Sequence, residues 1–188
     1  LVELMAFDDG EALRAGFERI VAGALEAGTI RDAVVAQTET QRRALWMLRE
    51  SIPAAEKLAG GSVKHDVSVS PGALPELARI LCEQTPARFP GTRLSVYGHV
   101  GDGNLHFNVL APPDCDAATY RGHHAEAISA FVHDTTLASG GSFSAEHGIG
   151  QLKRGLLAAS AAPVEIDLMR RLKHMLDPRG IMNPGKVV

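Results

Sequence analysis

The residues best suited to chemistry stand in segment 97–108, where His99 and His106 flank a short run of turn-forming residues. Residues 101–104 are Gly-Asp-Gly-Asn, a composition typical of the turn of a β-hairpin. With that turn, His99 pairs directly with His106 on one face of the sheet, at a Cβ separation of roughly 4.5–5.5 Å. Two imidazoles at this spacing can bind one divalent metal ion with bonds of about 2.0–2.1 Å.

Alternation of polar and apolar residues supports this register, because successive side chains of a strand point to opposite faces. The predicted core face carries apolar residues and the other face carries polar ones. The apolar set is Leu94, Val96, Val100, Leu105, Phe107 and Val109, and the polar set is Tyr97, His99, His106 and Asn108. The residues alone leave a simpler interpretation open, in which two surface histidines merely flank a turn.

A second cluster lies in the glycine-rich segment 142–150, which contains Glu146 and His147 side by side. Glu146 could add an oxygen ligand to the two imidazoles, which would leave positions open for a substrate. His147 could act as a general base near neutral pH. On local sequence alone, a glycine-rich loop with a helix-capping Glu is the favoured interpretation.

Three cationic residues are candidates for binding a carboxylate: Arg49, Lys64 and Lys186. Arg would bind it in bidentate fashion and Lys as a point charge. For each of them, a solvated surface charge is the alternative that the residues alone favour.

Composition excludes several classes of protein. The chain has 188 residues, 45% of them hydrophobic, and a net charge of −3 without a basic stripe, so nucleic acid is not an expected partner. No apolar run reaches the roughly 18 residues that a membrane span needs. Cys82 and Cys115 form no C-x-x-C pair, which favours a reducing compartment, and we expect a cytoplasmic location, with peripheral membrane association left open. The start at Leu1, without Met, suggests a piece of a longer protein.

The periodicities predict an α+β fold with a mixed or antiparallel sheet and helices on one face. We expect an α+β substrate region at 1–112, which includes the hairpin, and a helical region with the glycine-rich loop and a tail at 113–188. A turn is predicted at Asp8-Asp9-Gly10, and Pro53 should kink or end the second helix. The predicted strands are 2–7, 30–35, 63–70, 93–100 and 105–110, and the predicted helices are 13–25, 40–58, 74–84, 120–139 and 164–176.

Five segments in order carry a family resemblance. They are 44–50 (ALWMLRE), 64–69 (KHDVSV), 97–108 (YGHVGDGNLHFN), 144–150 (SAEHGIG) and 176–186 (LDPRGIMNPGK). Together they resemble the C-terminal half of FAD-linked oxidases of the vanillyl-alcohol oxidase type, most of all the D-2-hydroxyglutarate and D-lactate dehydrogenases and the glycolate oxidase flavin subunit. The resemblance covers nearly the whole chain.

The resemblance implies that His99, His106 and Glu146 bind a divalent metal, zinc-like in kind, and that His147 is the base beside the flavin. It also implies substrate-positioning roles for Arg49, Lys64 and Asn108, and a tail that returns to the FAD through Asn183 and Lys186. The family's N-terminal FAD-binding domain is absent from these residues, so the chain alone is expected to be colourless and inactive.

The implied reaction is FAD-dependent oxidation of a D-2-hydroxy acid, such as D-2-hydroxyglutarate, D-malate or D-lactate, to the 2-oxo acid. Pro53 stands where relatives of the 2-hydroxyglutarate type carry a small hydroxyl residue, so the resemblance does not choose among these acids. The implied partners are the small acid, the chain's own FAD domain and a second copy in a homodimer, with the electron acceptor unspecified. The alternatives are a non-catalytic metal-binding or subunit-interaction module, and a metal-dependent hydrolase.

Overall fold

The computed structural model describes residues 1–7 and 10–188 and divides the chain into two compact units, Leu1–Leu58 and Ala59–Val188. The predicted turn at Asp8 and Asp9 lies outside the described residues. The predicted division into a substrate region and a helical region, at 112/113, falls inside the second unit and stays a prediction. Among the described residues, no helix is both long and apolar enough to cross a lipid bilayer.

The first unit consists of three helices: α1 (Gly10–Glu26), α2 (Glu39–Glu50) and α3 (Ile52–Leu58). A reciprocal capping box starts α2, because the Thr38 hydroxyl accepts from the Gln41 amide and the Gln41 side chain accepts from the Thr38 amide. The single helix predicted at 40–58 is interrupted at Ser51. Pro53 therefore falls in the first turn of α3, where its missing N–H costs nothing.

The two strands predicted in the first unit, at 2–7 and 30–35, are wrong. Both segments lie outside helices and strands, and they make no ladder within the described residues. Segment 2–7 is attached through a side chain instead, since Glu3 accepts hydrogen bonds from the Trp46 indole at 2.7 Å and the Arg42 guanidinium at 3.0 Å. A short apolar run forms a strand only where a partner strand is available to satisfy its backbone.

The second unit is built on a three-stranded antiparallel sheet, so the predicted α+β class is confirmed. The strands are β1 (Ser62–Ser68), β2 (Arg93–Tyr97) and β3 (Asn104–Leu110), in the order β1-β3-β2. The helices of this unit are α4 (Leu74–Arg88), α5 (Ala117–Ala138), α6 (Arg154–Ser160) and α7 (Pro163–Leu176). The prediction missed α6 within what it treated as connecting chain.

Helices α4 and α5 cover one face of the sheet, as predicted. The core between them joins apolar side chains of β1 and β3 to one stripe of each helix. Its fully buried members are Val67, Leu77, Leu81, Phe107, Val109, Ile128 and Val132. Packing therefore fixes which face of every strand is apolar, and the opposite face is left to carry polar side chains.

The predicted pairing of His99 with His106 is wrong. His106 pairs with Tyr97, and β2 ends there, because one tight helical turn at Val100–Asp102 takes up residues assigned to strand and turn. Gly103 closes this turn with a φ of 66°, in the left-handed region. Val100, predicted to lie in the core, is consequently 69% exposed. The shift is two residues, an even number, so every strand residue keeps its predicted face.

His65 lies on the core face of β1, opposite Phe107, and is only 3% exposed. Its Nδ1 lies 2.8 Å from the Phe107 carbonyl oxygen, which can only accept, so Nδ1 carries the proton. Nε2 then accepts from the Ser129 hydroxyl at 3.1 Å. Burial lowers the pKa of His65 to about 4, against the opposing effect of the Phe107 hydrogen bond.

This buried histidine predicts a pH-dependent stability. Above pH 6.5, His65 is neutral in both folded and unfolded chains, and as the pH falls towards about 4 only the unfolded chain takes up the proton. The free energy of unfolding should therefore fall by on the order of 3 kcal/mol across this window. Urea unfolding followed by far-UV circular dichroism measures it, since the single Trp46 reports only on the first unit.

The matched variant is His65→Asn, whose side-chain amide can still donate to the Phe107 carbonyl but does not titrate. Its unfolding free energy should lose clearly less between neutral pH and about pH 4.5 than that of the unsubstituted chain. Equal losses in the two proteins would contradict the assignment of this pH dependence to His65.

Candidate metal centre

Three side chains that the sequence singled out as ligands come together in the second unit. One ligand atom from each of His99, His106 and Glu146 lies within 4.8 Å of the others. The Glu146 carboxylate oxygens lie 3.8 Å from Nε2 of His99 and 3.7 Å from Nε2 of His106. These separations are too long for hydrogen bonds and close to the about 3.4 Å between two donors on one tetrahedral ion with bonds near 2.1 Å. Two imidazoles and one carboxylate therefore fit a divalent ion of the zinc kind.

Each ligand is positioned by a different part of the unit. His106 projects from the central strand β3, with its side chain 12% exposed, and is the rigid member. His99 lies two residues after the end of β2, and its carbonyl accepts the backbone amides of Asp102 and Asn104 at 3.0 and 3.1 Å. Glu146 lies in the loop that follows α5. The imidazoles of His99 and His106 lie with their ring centroids 6.5 Å apart. They are close because both lie on the predicted polar face of the hairpin, although the two residues do not pair directly.

Asp66, which the sequence analysis did not single out, lies under this cluster. It stands on β1 opposite His106, and its side chain is 2% exposed. Its Oδ2 accepts the backbone amides of Glu146 and His147, both at 2.8 Å, and its Oδ1 accepts the Asn104 side-chain amide at 2.8 Å. One buried carboxylate thus anchors the loop residues that supply a ligand and the candidate base.

The Asp66 carboxylate also faces the imidazoles of His106 and His147. Nδ1 of His106 and Nδ1 of His147 each lie 3.6 Å from an oxygen of Asp66. At 3.6 Å the Asp66 carboxylate is beyond hydrogen-bond distance of His106, but it lies on the Nδ1 side of that ring, whose Nε2 is the nitrogen near Glu146. Burial by itself would raise the pKa of Asp66, but the amides of His147, Glu146 and Asn104 outweigh it and hold that pKa below its ordinary value.

One signal for Asp66 was available in the sequence. Lys64 was already a candidate, and a period of two places Asp66 on the same strand face two residues later. Its pairing with His106 was not available, because β1 and β3 are separated by more than 30 residues and their register depends on the whole sheet.

His147 lies on the exposed side of the cluster. Its ring stacks on that of His106, with centroids 5.7 Å apart and an interplanar angle of 25°, and its side chain is 66% exposed. The backbone amide of His147 is fixed by Asp66, so its ring remains beside the ligands while one edge is open. This placement suits a group that exchanges a proton with a bound molecule.

Two of the three predicted substrate residues lie on one face of the sheet in the second unit. Lys64 pairs with Asn108 across β1 and β3, on the face that carries Asp66 and His106. Asn108 is 2% exposed, and its side-chain amide donates to the Tyr97 hydroxyl at 3.2 Å. Arg49 lies on α2 of the first unit, half-buried, and stays a predicted substrate residue.

The predicted cofactor residues Asn183 and Lys186 lie in the tail of the second unit. Asn183 has a φ of 45°, and its carbonyl accepts the Lys186 amide at 3.2 Å. The Val187 amide then donates to the Gly150 carbonyl at 2.9 Å. This hydrogen bond holds the tail against the end of the loop that carries Glu146 and His147.

The ligand set predicts which histidines matter for metal binding. His99→Ala and His106→Ala should each lose most bound Zn²⁺, because only two of three protein ligands remain. His123→Ala, an exposed histidine on α5, is the control and should bind like the unsubstituted chain. Elemental analysis after dialysis, with a Zn²⁺ titration by calorimetry, measures the effect. Full retention in either ligand variant would reject the three-residue site.

The position of Asp66 predicts a second effect on metal affinity. Asp66→Asn keeps the shape of the side chain but removes the charge and one of the two acceptor oxygens. We expect the Zn²⁺ affinity to fall by roughly 10–100-fold, the usual effect of losing a group that orients a ligand. Asp134→Asn, on α5, is the matched control, and calorimetric titration of both variants is the measurement. An unchanged affinity in Asp66→Asn would show that Asp66 does not orient the ligands.

Comparison with known proteins gives a family match over almost the whole chain. The family model described as FAD linked oxidases, C-terminal domain, matches residues 1–187. A D-2-hydroxyglutarate dehydrogenase of Stutzerimonas stutzeri is 38% identical over 178 residues, covering 94% of this chain and 37% of the relative. One from Xanthomonas citri is 36% identical over 190 residues, covering 100% and 39%.

A third relative, the mitochondrial D-2-hydroxyglutarate dehydrogenase of Arabidopsis thaliana, is 35% identical over 175 residues, covering 93% of this chain and 30% of the relative. The chain thus spans about two fifths or less of the length of these relatives. Since the family model covers nearly every residue, the chain belongs to the FAD linked oxidases and corresponds to their C-terminal domain.

Proposed function

We propose that this chain is the substrate- and metal-binding part of an FAD-dependent dehydrogenase that oxidises a D-2-hydroxy acid to the 2-oxo acid. The observation that carries the proposal is the convergence of two imidazoles and a carboxylate beside His147, with buried Asp66 accepting the amides of Glu146 and His147 and facing the His106 ring. The relatives named D-2-hydroxyglutarate dehydrogenase support that acid as the first substrate to test, with D-malate and D-lactate as alternatives.

Substrate binding is assigned to the polar face of the sheet. His99, His106 and Glu146 would hold the divalent ion, and Lys64 and Asn108 lie along the same face at the next cross-strand pair. An ammonium and a side-chain amide there suit a carboxylate, the first as a point charge and the second as a hydrogen-bond donor. Arg49 is also proposed as a substrate residue, since its guanidinium suits bidentate binding of a carboxylate.

In the proposed reaction the substrate loses a hydride from C2 and a proton from its hydroxyl, and the C–O bond becomes C=O. His147 takes the hydroxyl proton on its imidazole, whose Nδ1 lies 3.6 Å from the Asp66 carboxylate. A bound zinc-like ion supplies Lewis acidity towards the hydroxyl oxygen, and oxidised FAD supplies the acceptor for the hydride. Asp66, which belongs to the sheet, holds the backbone of His147 and so keeps the base beside the face proposed to bind the acid.

FAD is proposed to bind mainly outside these residues, because the relatives are far longer than this chain. Asn183 and Lys186 are the residues proposed to contact FAD. The tail that contains them is tied by the Val187–Gly150 hydrogen bond to the glycine-rich loop 142–150, which we call the active-site loop. A homodimer and a cytoplasmic location are also proposed. The relatives from Arabidopsis thaliana and Bos taurus are named mitochondrial, so a cytoplasmic location is proposed for this protein and not for them.

The proposal predicts flavin reduction by a D-2-hydroxy acid in the holoenzyme, the chain together with its FAD domain. Mixing it anaerobically with D-2-hydroxyglutarate, D-malate, D-lactate or glycolate should bleach the flavin absorbance with at least one D-acid. His147→Ala should keep its metal and slow this reduction about 10²–10⁴-fold, the range of general-base contributions.

His174→Ala, on the last turn of α7, is the matched control and should reduce flavin at the unsubstituted rate. A holoenzyme that keeps its metal but is bleached by none of the acids would favour a non-catalytic metal-binding module. Loss of metal in His147→Ala with an unchanged reaction would show that the roles of His147 and Glu146 are interchanged.

A further inference from the structure

Lys153 is a half-buried cation with no role in the proposed reaction. It lies between the active-site loop and α6, and its ammonium donates to the Phe143 carbonyl at 2.9 Å and to the Ser144 hydroxyl at 3.1 Å. Both acceptors are neutral oxygens of the loop, not carboxylates. Burial lowers the pKa of Lys153, and the negative charge of Asp66 opposes that shift. The ammonium loses hydration at this position, and its hydrogen bonds to the two loop oxygens offset part of that cost.

The Ser144 hydroxyl extends this contact across the loop. While it accepts from Lys153, it donates to the Gly148 carbonyl at 2.6 Å. The chain of hydrogen bonds therefore joins Phe143 and Ser144 to Gly148, and the residues enclosed between these points are Ala145, Glu146 and His147. This enclosed segment contains the two backbone amides, of Glu146 and His147, that donate to the Asp66 carboxylate.

The two ends of the loop are held differently. At its start, Ser142 makes a two-way backbone bridge with Ser68 at the end of β1, at 2.7 and 2.9 Å. Its far end pairs with no strand among the described residues and is joined to the tail by the Val187 amide, and Gly148 and Gly150 both adopt positive φ, a conformation that glycine makes accessible but does not enforce. Between Ser144 and Gly148 the loop is fixed by the Ala145 amide, which donates to the Asp66 backbone carbonyl at 3.2 Å, and by hydrogen bonds of the Asp66, Ser144 and Lys153 side chains.

We infer that Lys153 is a positioning residue, which with Ser144 closes the loop so that Glu146 and His147 are held at the metal and the substrate. The inference rests on the proposed function for what the loop carries, and on the hydrogen bonds alone for how the loop is held. Lysine suits this place because its ammonium offers three donors, enough for a carbonyl and a hydroxyl at once.

The test compares four variants of the full 188-residue chain. Lys153→Met keeps the apolar stem and removes the donors, Lys153→Arg restores donors, and Ser144→Ala removes the relay while leaving the cation. Lys57→Met, the same substitution at an exposed position of the first unit, is the control. The readouts are amide hydrogen exchange of peptides that cover residues 142–150 and calorimetric titration with Zn²⁺.

We expect Lys153→Met to exchange loop amides at least about tenfold faster and to bind Zn²⁺ roughly 10–100-fold more weakly, without faster exchange in the sheet. Lys153→Arg should recover most of both, Ser144→Ala should change in the same direction as Lys153→Met, and Lys57→Met should match the unsubstituted chain. Unchanged loop exchange in Lys153→Met, or acceleration spread equally over the sheet, would overturn the inference.

Two further outcomes are decided by the same data. If Lys153→Met fails to fold, Ser144→Ala decides, and wild-type loop exchange in that variant overturns the inference. If the unsubstituted chain binds no Zn²⁺, the metal part of the proposed function fails, while loop exchange still supports or overturns the role of Lys153.

Discussion

The site depends above all on one buried carboxylate. Asp66 accepts two consecutive backbone amides of the active-site loop and the Asn104 amide, and its oxygens face Nδ1 of both His106 and His147. Without these donors, a carboxylate that is 2% exposed would be costly to keep charged. Because two of these three donors are backbone amides of the loop that carries Glu146 and His147, the contacts that satisfy this charge also position that loop.

The sheet makes this carboxylate possible by separating its two faces. On β1, alternate residues point in opposite directions, so His65 enters the core beneath α5 while its neighbours Lys64 and Asp66 reach the polar face. A neutral, hydrogen-bonded His65 is tolerated among apolar side chains, whereas Asp66 would not be. The contrast between these adjacent residues shows that one strand serves stability with one face and chemistry with the other.

The sequence was sufficient to predict the faces of strands, which depend on local periodicity. It was insufficient to predict pairings and contacts between residues far apart in the chain. The faces of β2 and β3 were predicted correctly, and so was the proximity of His99 to His106, because the true register differs by two residues and preserves the alternation. The strands predicted at 2–7 and 30–35 failed because no ladder partner meets them in the described residues. Asp66 was missed because its partners lie about 40 and 80 residues away, as the hydrogen bonds to Asn104 and His147 show.

The side chains of the site are buried on one side and exposed to solvent on the other. Asp66, Asn104 and Asn108 are each 2% exposed, whereas the side chains of His99, Glu146 and His147 are about half-exposed or more. The protein thus supplies a dry, hydrogen-bonded floor and leaves the ligand and base edges open on one side. In the proposed reaction, a substrate hydroxyl would reach His147 from that open side. From the inside outwards, the cluster is therefore layered as the Asp66 carboxylate, the imidazoles of His106 and His147, and then the open edge.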